Sequence, residues 1–342
     1  MRLDAAEGVA PDGWDDRLCA MGGTIHHSTA WARYIQAADR NARPRFLDWV
    51  GSDGKAAGMA LAFHVRSGRA WLAPWTGRLV LDSTPAVSAG DEAALADFLK
   101  AVEGYARQAA CVELTVGSSA SRRGGPELEG LGFEMIARRE FVLDLQRSED
   151  ELWQTLEYKR RKNIKKAARQ GVSLTDLSGE GGAAELRRLQ IESGQRIARR
   201  GGRDIGRKGI RAADPVLVLM ESGLARLVGA VADGEVVSAG LFTCFNGLVY
   251  HMLSGHSRKG LEVQAPTLLL WETIRRYKQE GARWFNLSGC KVEAADPGSP
   301  EHGVYEYKKA FGGECVECAS GRKILRPGAH WLVRVVRGLL GR

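Results

Sequence analysis

Several signals that would assign this chain of 342 residues to a class of protein are missing from it. No apolar run reaches the roughly 18 residues of a membrane-spanning helix, and the N-terminal MRLDAAEGVAPDGWDD has no apolar signal region. The six cysteines lack the spacing of a disulfide framework, which favours reduced thiols. Together these absences predict a cytoplasmic protein.

Catalytic and metal-binding patterns are equally scarce. No Ser-His-Asp or Cys-His arrangement can be assembled by spacing. Cys315 and Cys318 form a Cys-x-x-Cys pair, but no second pair lies at zinc-ligand spacing, and on a strand the two thiols would point to opposite faces. We therefore predict no metal and no cofactor.

Acidic residues are too few to balance the basic ones. The chain has 49 Lys and Arg against 41 Asp and Glu, a net charge of +8, which favours an anionic partner. Hydrophobic residues at 44% and charged residues at 26% are typical of globular proteins. The length suggests two domains of roughly 150 residues each.

The chain also carries an internal repeat of predicted elements: three strands, a helix, a strand, a short helix and a last strand. The three strands of the second copy are LARLVGAVADG, EVVSAGLFTCF and LVYHMLSG, with Asn246-Gly247 as a type I′ hairpin turn between the last two. The corresponding strands of the first copy are RFLDWVGSDG, KAAGMALAFHV and RAWLAPW. The helix and strand that follow are 91–110 and 111–116 in the first copy, and 265–282 and 283–289 in the second.

This order is that of a GNAT-type (acyl-CoA N-acyltransferase-like) fold, so the sequence predicts an α+β protein with two tandem GNAT-like domains. We assign 1–146 to the first domain and 147–318 to the second. The C-terminal segment, 319–342, is predicted to return to domain 1 and complete it.

A strongly basic helix is predicted over 148–171, between the two copies. It opens with a capping box, Ser148 to Glu151, and stops at Gly171. Seven of the eleven residues from Lys159 to Arg169 are basic, and Glu157, four residues before Arg161, is the one acid at the spacing that could neutralise any of them. A phosphate backbone would supply the missing counter-charge. The candidate contacts are Lys159, Arg161, Lys162, Lys165, Lys166 and Arg169.

Other basic residues are candidates for an anionic substrate group. On a helical wheel Arg160 and Asn163 project toward the apolar side, where a guanidinium needs either an acidic partner in the fold or a bound anion. Arg199 belongs to a second basic cluster, IARRGGRDIGRKGIR, whose glycines suggest a loop. That loop could cover a ligand or simply cross the surface.

Three segments resemble the Fem aminoacyltransferases and their GNAT-like relatives. They are YKRRKNIKKAARQGV, PTLLLWETIRRYKQEGARWFNLSG and GVYEYKKAFGGECVE, and the similarity covers most of 148–318, with a weaker match in HHSTAWARYI. The resemblance implies a tandem GNAT-like fold and transfer of an amino acid from aminoacyl-tRNA to an amine, forming an amide bond. The acceptor would be a peptidoglycan precursor, a small peptide or an amino-acid natural product, and no DNA is implied.

The same resemblance gives roles to residues near the C-terminus. The family has Phe-Lys where this chain has Tyr307-Lys308, so both are candidate catalytic residues. An ammonium group at Lys308 would stabilise the oxyanion that forms when the amine attacks the ester. We add Tyr305, Tyr250, His251 and Asn286 as substrate-site candidates. His251 or His256 could also take the proton of the amine.

Two other functions stay open. An acyl-CoA-dependent N-acyltransferase of the same fold would need a Gly-rich turn for pyrophosphate, but RKGLEVQAPTLLL offers one glycine and Pro266. A non-catalytic RNA-binding protein would need aromatic signatures that are missing. The C-terminal HWLVRVVRGLLGR places Trp331, Leu332, Val335, Val336 and Leu339 on one side of a helix. We predict that this side docks on domain 1, with peripheral membrane contact as the alternative.

Overall fold

The computed structural model describes residues 1–51, 54–66, 73–88, 92–120, 125–199 and 213–339. They form two compact units, Met1–Arg138 with Glu317–Arg342 (unit 1) and Arg139–Val316 (unit 2). The strands are β1 Arg2–Glu7, β2 Ala42–Val50, β3 Ala56–Val65, β4 Arg78–Leu81, β5 Ala86–Val87, β6 Glu113–Val116, β7 Glu134–Asp144, β8 Ser173–Leu177, β9 Ala225–Ala232, β10 Glu235–Phe245, β11 Leu248–His256, β12 Trp284–Lys291 and β13 Glu314–Ile324.

The helices flank these strands in the chain. They are α1 Trp14–Ala20, α2 Thr29–Ala38, α3 Ala73–Thr76, α4 Glu92–Gln108, α5 Gly125–Gly130, α6 Glu149–Thr155, α7 Tyr158–Arg169, α8 Gly179–Ala198, α9 Ala213–Glu221, α10 Arg258–Glu262, α11 Ala265–Gln279, α12 His302–Lys309 and α13 Pro327–Leu339. Among the described residues, no helix is both long and apolar enough to cross a membrane.

In unit 1 the strands follow the order β1-β2-β3-β4-β6-β13. The first four form an antiparallel meander, α4 leads to β6, and β6 runs parallel to β4. The third strand predicted at RAWLAPW is wrong where the structure describes it, because Ala73–Thr76 is helical and the next strand begins only at Arg78. The start of that predicted strand lies outside the described residues.

In unit 2 the order is β7-β12-β11-β10-β9-β8. The meander β9-β10-β11 matches the predicted strands, and Asn246 and Gly247 have φ of 51° and 73°, as a type I′ turn requires. Helix α11 then carries the chain to β12, which is parallel to β11. The apolar side chains of α11 are buried in the core of this unit.

Both units therefore repeat one order: an antiparallel meander, a helix, and a strand parallel to the last strand of the meander. The α+β prediction with two tandem copies is confirmed. So is the return of the C-terminal segment, because β13 pairs antiparallel with β6 and completes the sheet of unit 1.

The prediction of one continuous helix over 148–171 is wrong. The predicted capping box opens α6, but Leu156 and Glu157 are extended and a second helix, α7, starts at Tyr158. A tertiary contact holds this break, since the backbone N–H of Glu157 donates to the carbonyl of Ala310 at 3.0 Å. The side chain of Arg161 turns back and donates to the carbonyls of Gln154 and Leu156 at 3.0 and 2.9 Å, satisfying the end of α6.

The C-terminal helix α13 forms as predicted, but its aromatic residue does not dock. Trp331 is 65% exposed and Leu332 is 40% exposed, so the docking prediction is wrong for these two side chains. The side chains of Val336 and Leu339 lie outside the described ones.

Candidate functional site

The candidate site of unit 2 lies where two parallel strands separate. Strands β11 and β12 pair only over Leu248–Tyr250 with Trp284–Asn286, although both strands continue beyond that point. A β-bulge between β10 and β11, next to Phe242 and His251, shifts the register at the same level. Bulges bend a strand and re-aim its side chains, and they are common beside active sites. The opening therefore starts at His251 on one strand and at Leu287 on the other.

The corresponding strand pair of unit 1 stays closed. Beyond β4 and β6 the chain segments remain joined, because Gly117 N–H donates to the carbonyl of Leu81 at 2.7 Å and Ser83 Oγ donates to the carbonyl of Ser119 at 2.8 Å. A side chain at Gly117 would overlap the backbone of Asp82. Only in unit 2 do the central parallel strands separate in this way among the described residues.

A buried carboxylate organises the floor of the opening in unit 2. Glu140 on β7 is only 2% exposed. Its two oxygens accept hydrogen bonds from Tyr250 Oη at 3.3 Å and from Asn286 Nδ2 at 2.7 Å. The structure thus joins two predicted substrate-site residues through an acid that the sequence did not single out. Tyr250 and Asn286 hold the Glu140 carboxylate through these hydrogen bonds, and in this way they position the site.

Asn286 also fixes the backbone that follows it. Its Oδ1 accepts from the N–H of Ser288 at 2.7 Å, and Ser288 has a φ of 61°. This left-handed conformation is unfavourable for a non-glycine residue and is found preferentially at functional sites. The turn presents Ser288 Oγ and the carbonyl of Gly289 to α12.

Lys308 forms hydrogen bonds with those two oxygens. Its Nζ donates to Ser288 Oγ at 2.8 Å and to the carbonyl of Gly289 at 3.0 Å. The residue is half-buried, whereas its neighbour Lys309 is exposed and lies 3.8 Å from Glu306. A helix places adjacent side chains about 100° apart, and only one lysine faces the site. The ammonium group of Lys308 is therefore held at the separation of β11 and β12.

The Phe-Gly-Gly turn after α12 anchors this lysine. Phe311 is fully buried, with its ring 5.4 Å from that of Tyr307. Gly312 has a φ of 77°, and a Cβ on it would overlap the carbonyl oxygen of Thr155. Gly313 passes close to the backbone of Val142. The glycines let α12 end against α6 and β7.

Gly312→Ala is expected to lower the free energy of unfolding by about 2–4 kcal/mol, because strain at positive φ adds to a clash with rigid backbone. Urea denaturation would measure the loss. Gly303→Ala is the matched control, since no atom lies within 4 Å of its Cβ position, and the change in a helix should be neutral or stabilising. Equal stability of the two variants would contradict the close contact of Gly312 with the backbone of Thr155.

His251 is neutral at the opening. Its ring stacks on Phe242 with centroids 4.7 Å apart, and its buried Nε2 has no hydrogen-bond partner among the described residues. Burial, and then the positive charge of Lys308, lower the pKa of His251 to about 3. General bases work best with a pKa near the working pH, so this imidazole is poorly suited to take a proton from an amine. His256 is no better, because burial lowers its pKa to about 4 and its Nδ1 is bound to Ser238 Oγ at 2.8 Å.

Acid should destabilise the protein through these histidines. Burial lowers the pKa of His26 and His251 to about 3, and that of His27 and His256 to about 4. Below the ordinary pKa of about 6.5 the unfolded chain binds more protons than the folded one, so stability falls as the pH drops from 6.5 toward 4. We expect the melting temperature to fall by roughly 10 °C or more between pH 7 and pH 5. A flat profile in calorimetry over that range would contradict burial of the neutral rings.

Arg160, a predicted substrate residue, and Tyr307, a predicted catalytic residue, form one structural pair. The Arg160 guanidinium lies 4.5 Å above the ring of Tyr307, and its buried Nε has no hydrogen-bond partner in the described part of the chain. Tyr307 Oη donates to the carbonyl of Pro266 at 3.0 Å, and burial raises the pKa of this phenol. The hydroxyl thus ties α12 to the first turn of α11. The acidic partner considered for Arg160 does not occur among the described residues.

The other predicted substrate residues differ in exposure. Tyr305 is half-buried, with its ring 5.6 Å from that of Phe141 and 6.2 Å from that of His302. Asn163 is half-buried on α7. Arg199 is exposed just after α8, and the rest of its basic cluster lies outside the described residues.

Helix α7 presents a basic face, which we define as Lys159, Lys162, Lys165, Lys166 and Arg169. All five are exposed. Lys166 Nζ donates to the carbonyl of Glu262 at 3.0 Å, and Lys165 Nζ lies 5.8 Å from the ring of Trp153. No basic side chain of α7 forms an ion pair with a residue that the structure describes. Arg161, predicted to belong to this face, instead bonds the carbonyls of α6.

The two cysteines of the Cys-x-x-Cys pair differ in exposure, Cys315 being exposed and Cys318 buried. Within the described ranges, no group of three or more His, Cys, Asp or Glu residues could hold a metal ion.

This fold and the opening between its parallel strands define a tandem GNAT architecture, the fold of acyltransferases. The model of an acetyltransferase (GNAT) domain matches residues 158–309, less than half of the chain. Among solved structures, the chain is similar to FemX, with a TM-score of 0.75 at 14% identity over 96% of this chain and 99% of that one. The chain thus has a Fem-like tandem GNAT fold.

Two further structures share the fold. L-PGS from Bacillus licheniformis superposes with a TM-score of 0.57 at 16% identity over 95% of this chain and 96% of that one. A tandem GNAT protein from the clavulanic acid biosynthesis pathway gives 0.51 at 15% identity, over 94% and 98%. No curated protein sequence gives a significant match. At such identities the likeness establishes the fold.

Proposed function

We propose that this protein transfers an aminoacyl group from aminoacyl-tRNA to an amine. The bond that forms is an amide between the amine nitrogen and the acyl carbon, and the bond that breaks is the ester to the 3′ oxygen of the tRNA. The amine loses a proton and the departing oxygen gains one. The ester is already activated, so no enzyme nucleophile is required.

The observation that carries the proposal is the position of Lys308. Its ammonium group is fixed by Ser288 Oγ and the Gly289 carbonyl where β11 and β12 separate. A preorganised cation beside the acyl carbon stabilises the oxyanion of the tetrahedral intermediate without reorganising during the reaction. Glu140 and Asn286 act through Ser288 and are positioning residues.

The basic face of α7 favours tRNA as the donor. A run of exposed cations without ion-pair partners in the described structure suits a phosphate backbone. Tyr158, at the start of the same helix, is 74% exposed and offers a ring on which a base could stack. Arg160, whose Nε is unpaired, is a candidate for an anionic group of the acyl donor near the acceptor end.

The first turn of α11 argues against acyl-CoA. In an acyl-CoA enzyme of this fold, the helix at this position presents free N–H groups to pyrophosphate. Here Ala265 and Thr267 are buried, and Pro266 has no N–H. The N–H groups of Thr267 and Leu268 donate to the carbonyl of Gln264 at 3.1 and 3.4 Å. In this part of the described chain, the turn therefore offers no run of free N–H groups to a phosphate.

We propose an acceptor that is a small amine: a peptidoglycan precursor, a peptide or an amino-acid natural product. The resemblance of GVYEYKKAFGGECVE to the Fem enzymes implies the first, and the fold shared with a protein from the clavulanic acid biosynthesis pathway supports a natural product. An aminoacyl-tRNA donor would place the reaction in the cytoplasm.

A comparison of donors tests the proposal. The protein is incubated with a panel of candidate amines and either mixed charged tRNA or acyl-CoA, with and without ribonuclease, and amide products are followed by mass spectrometry. We expect product from charged tRNA that disappears with ribonuclease. Product from acyl-CoA alone would establish the other transferase, and tRNA binding without any product would favour a non-catalytic RNA-binding protein.

A further inference from the structure

A cavity of about 550 Å³ in unit 1 concentrates positive charge that the proposed reaction does not use. It lies where β1 and β3 end, β2 begins and α4 ends. Among the residues that the structure describes, four arginines line it, Arg40, Arg43, Arg45 and Arg66, against a single carboxylate, Glu7. The other described lining residues are Asn41, His64, Tyr105 and Ala109.

Arg45 is the deepest of the four guanidinium groups. Its side chain is 12% exposed, and its Nη2 lies 3.2 Å from the carboxylate of Glu7, which is itself 67% exposed. Nη1 donates to the carbonyl of Pro44 at 3.1 Å, but Nε is buried with no hydrogen-bond partner among the described residues. A buried guanidinium N–H without an acceptor is unfavourable, so the site lacks an acceptor at this point.

The other three arginines add positive charge and hydrogen-bond donors to the cavity. Arg40, Arg43 and Arg66 are exposed at the cavity and form no ion pair with any described residue. Arg66 Nε donates to Nε2 of His64 at 3.2 Å, so the imidazole serves as an acceptor there. Burial, then Arg66 and Arg45, lower the pKa of His64 to about 4, and the ring carries no charge at neutral pH.

Tyr105 completes the donor set. It lines the cavity beside Arg45, and burial raises the pKa of the phenol, which keeps its proton. The described part of unit 1 therefore places four permanent cations and a phenol around one concave space, together with one exposed carboxylate. Guanidinium groups match phosphate oxygens in bidentate geometry. Four of them are more than a ligand with a single carboxylate would need.

We propose that this cavity binds the phosphate or diphosphate group of a small molecule. A concave site of this size with a recessed arginine suits a compact dianion, whereas a nucleic-acid backbone is better matched by the open, convex basic face of α7 in the other unit. The proposal does not depend on the reaction assigned to unit 2.

Binding of inorganic phosphate, inorganic pyrophosphate and adenosine monophosphate to the full chain would test this, by calorimetry and by ³¹P line broadening at constant ionic strength. We expect saturable binding of at least one of them, with acetate and chloride inert. Arg43→Gln and Arg66→Gln should each weaken it roughly tenfold, the loss of one charge-assisted hydrogen bond. Both side chains are exposed, so the variants should fold normally.

Arg187→Gln is the matched control, because it removes the same charge from an exposed position on α8 and should leave the affinity unchanged. Binding of phosphate but not of the nucleotide would assign the site to free phosphate, and the reverse would assign it to a phosphate ester. No saturable binding, or equal binding by all three variants, would overturn the proposal. The proposal would also be overturned if a hairpin RNA bound through Arg43 and Arg66 while none of the small phosphates bound.

Discussion

Lys308→Ala is expected to reduce the rate of amide formation by roughly 10²–10³-fold, the usual effect of losing one preorganised donor to an oxyanion. The binding of tRNA should change little, because the side chain points to Ser288 and Gly289 and is not part of the basic face. Single-turnover rates with charged tRNA would measure the effect. The loss should appear in the rate constant of the chemical step and not in the affinity for the donor.

Lys309→Ala is the control for this variant. It removes the same charge one residue along the same helix, from an exposed side chain paired loosely with Glu306. Its turnover should be near that of the unchanged protein, and both variants should melt within a few degrees of it. Near-normal turnover of Lys308→Ala would remove Lys308 from the mechanism, whereas a collapse of its melting temperature would assign the lysine a structural role.

The regular elements of unit 2 could be predicted from the sequence because their signals are local. Alternating apolar residues define β9, β10 and β11, and Asn246-Gly247 has few conformations other than the hairpin turn it forms. Apolar periodicity with Pro266 near the start and Gly281 after the end defines α11. Each of these signals lies within a few residues of the feature it specifies.

The break between α6 and α7 could not be predicted in this way. Nothing at Leu156-Glu157 is unfavourable in a helix, and the chain bends because Glu157 bonds to Ala310, which lies far away in the sequence. The helical wheel for 148–171 assumed that the helix was continuous, and for this reason it placed Arg161 among the solvent-facing cations. A tertiary hydrogen bond therefore changed the assignment of a side chain four residues later.

The site itself shows the same limit. Lys308 was found through the resemblance of GVYEYKKAFGGECVE to the Fem enzymes, but Glu140 and Ser288 carried no signal. Glu140 stands among the charged residues of ARREF, where an acid suggests an exposed position, yet it is 2% exposed. Its partners Tyr250 and Asn286 reach it from two other strands. Only the pairing of strands that are distant in the sequence shows that the three residues meet.

Neutralising the basic face should have the second largest effect. In the variant Lys159→Gln/Lys162→Gln/Lys165→Gln, we expect tRNA affinity to fall by roughly 100-fold at low salt and the slope of log K against log salt to become shallower by about three, one for each phosphate that is no longer neutralised. The reason is that these three exposed ammonium groups have no ion-pair partner in the described structure that could already satisfy them.

Nitrocellulose filter binding at several salt concentrations would measure both quantities. Arg2→Gln/Lys100→Gln/Arg187→Gln removes the same total charge from exposed positions elsewhere, so it separates a local contact from the general attraction of a basic protein for RNA. If the contact is local, only the α7 variant loses the steep salt dependence, and its rate of amide formation at saturating tRNA stays near normal because Lys308 is unchanged. Equal losses in the two triple variants would mean that net charge alone attracts the RNA, and the basic face would then have no specific role in holding the donor.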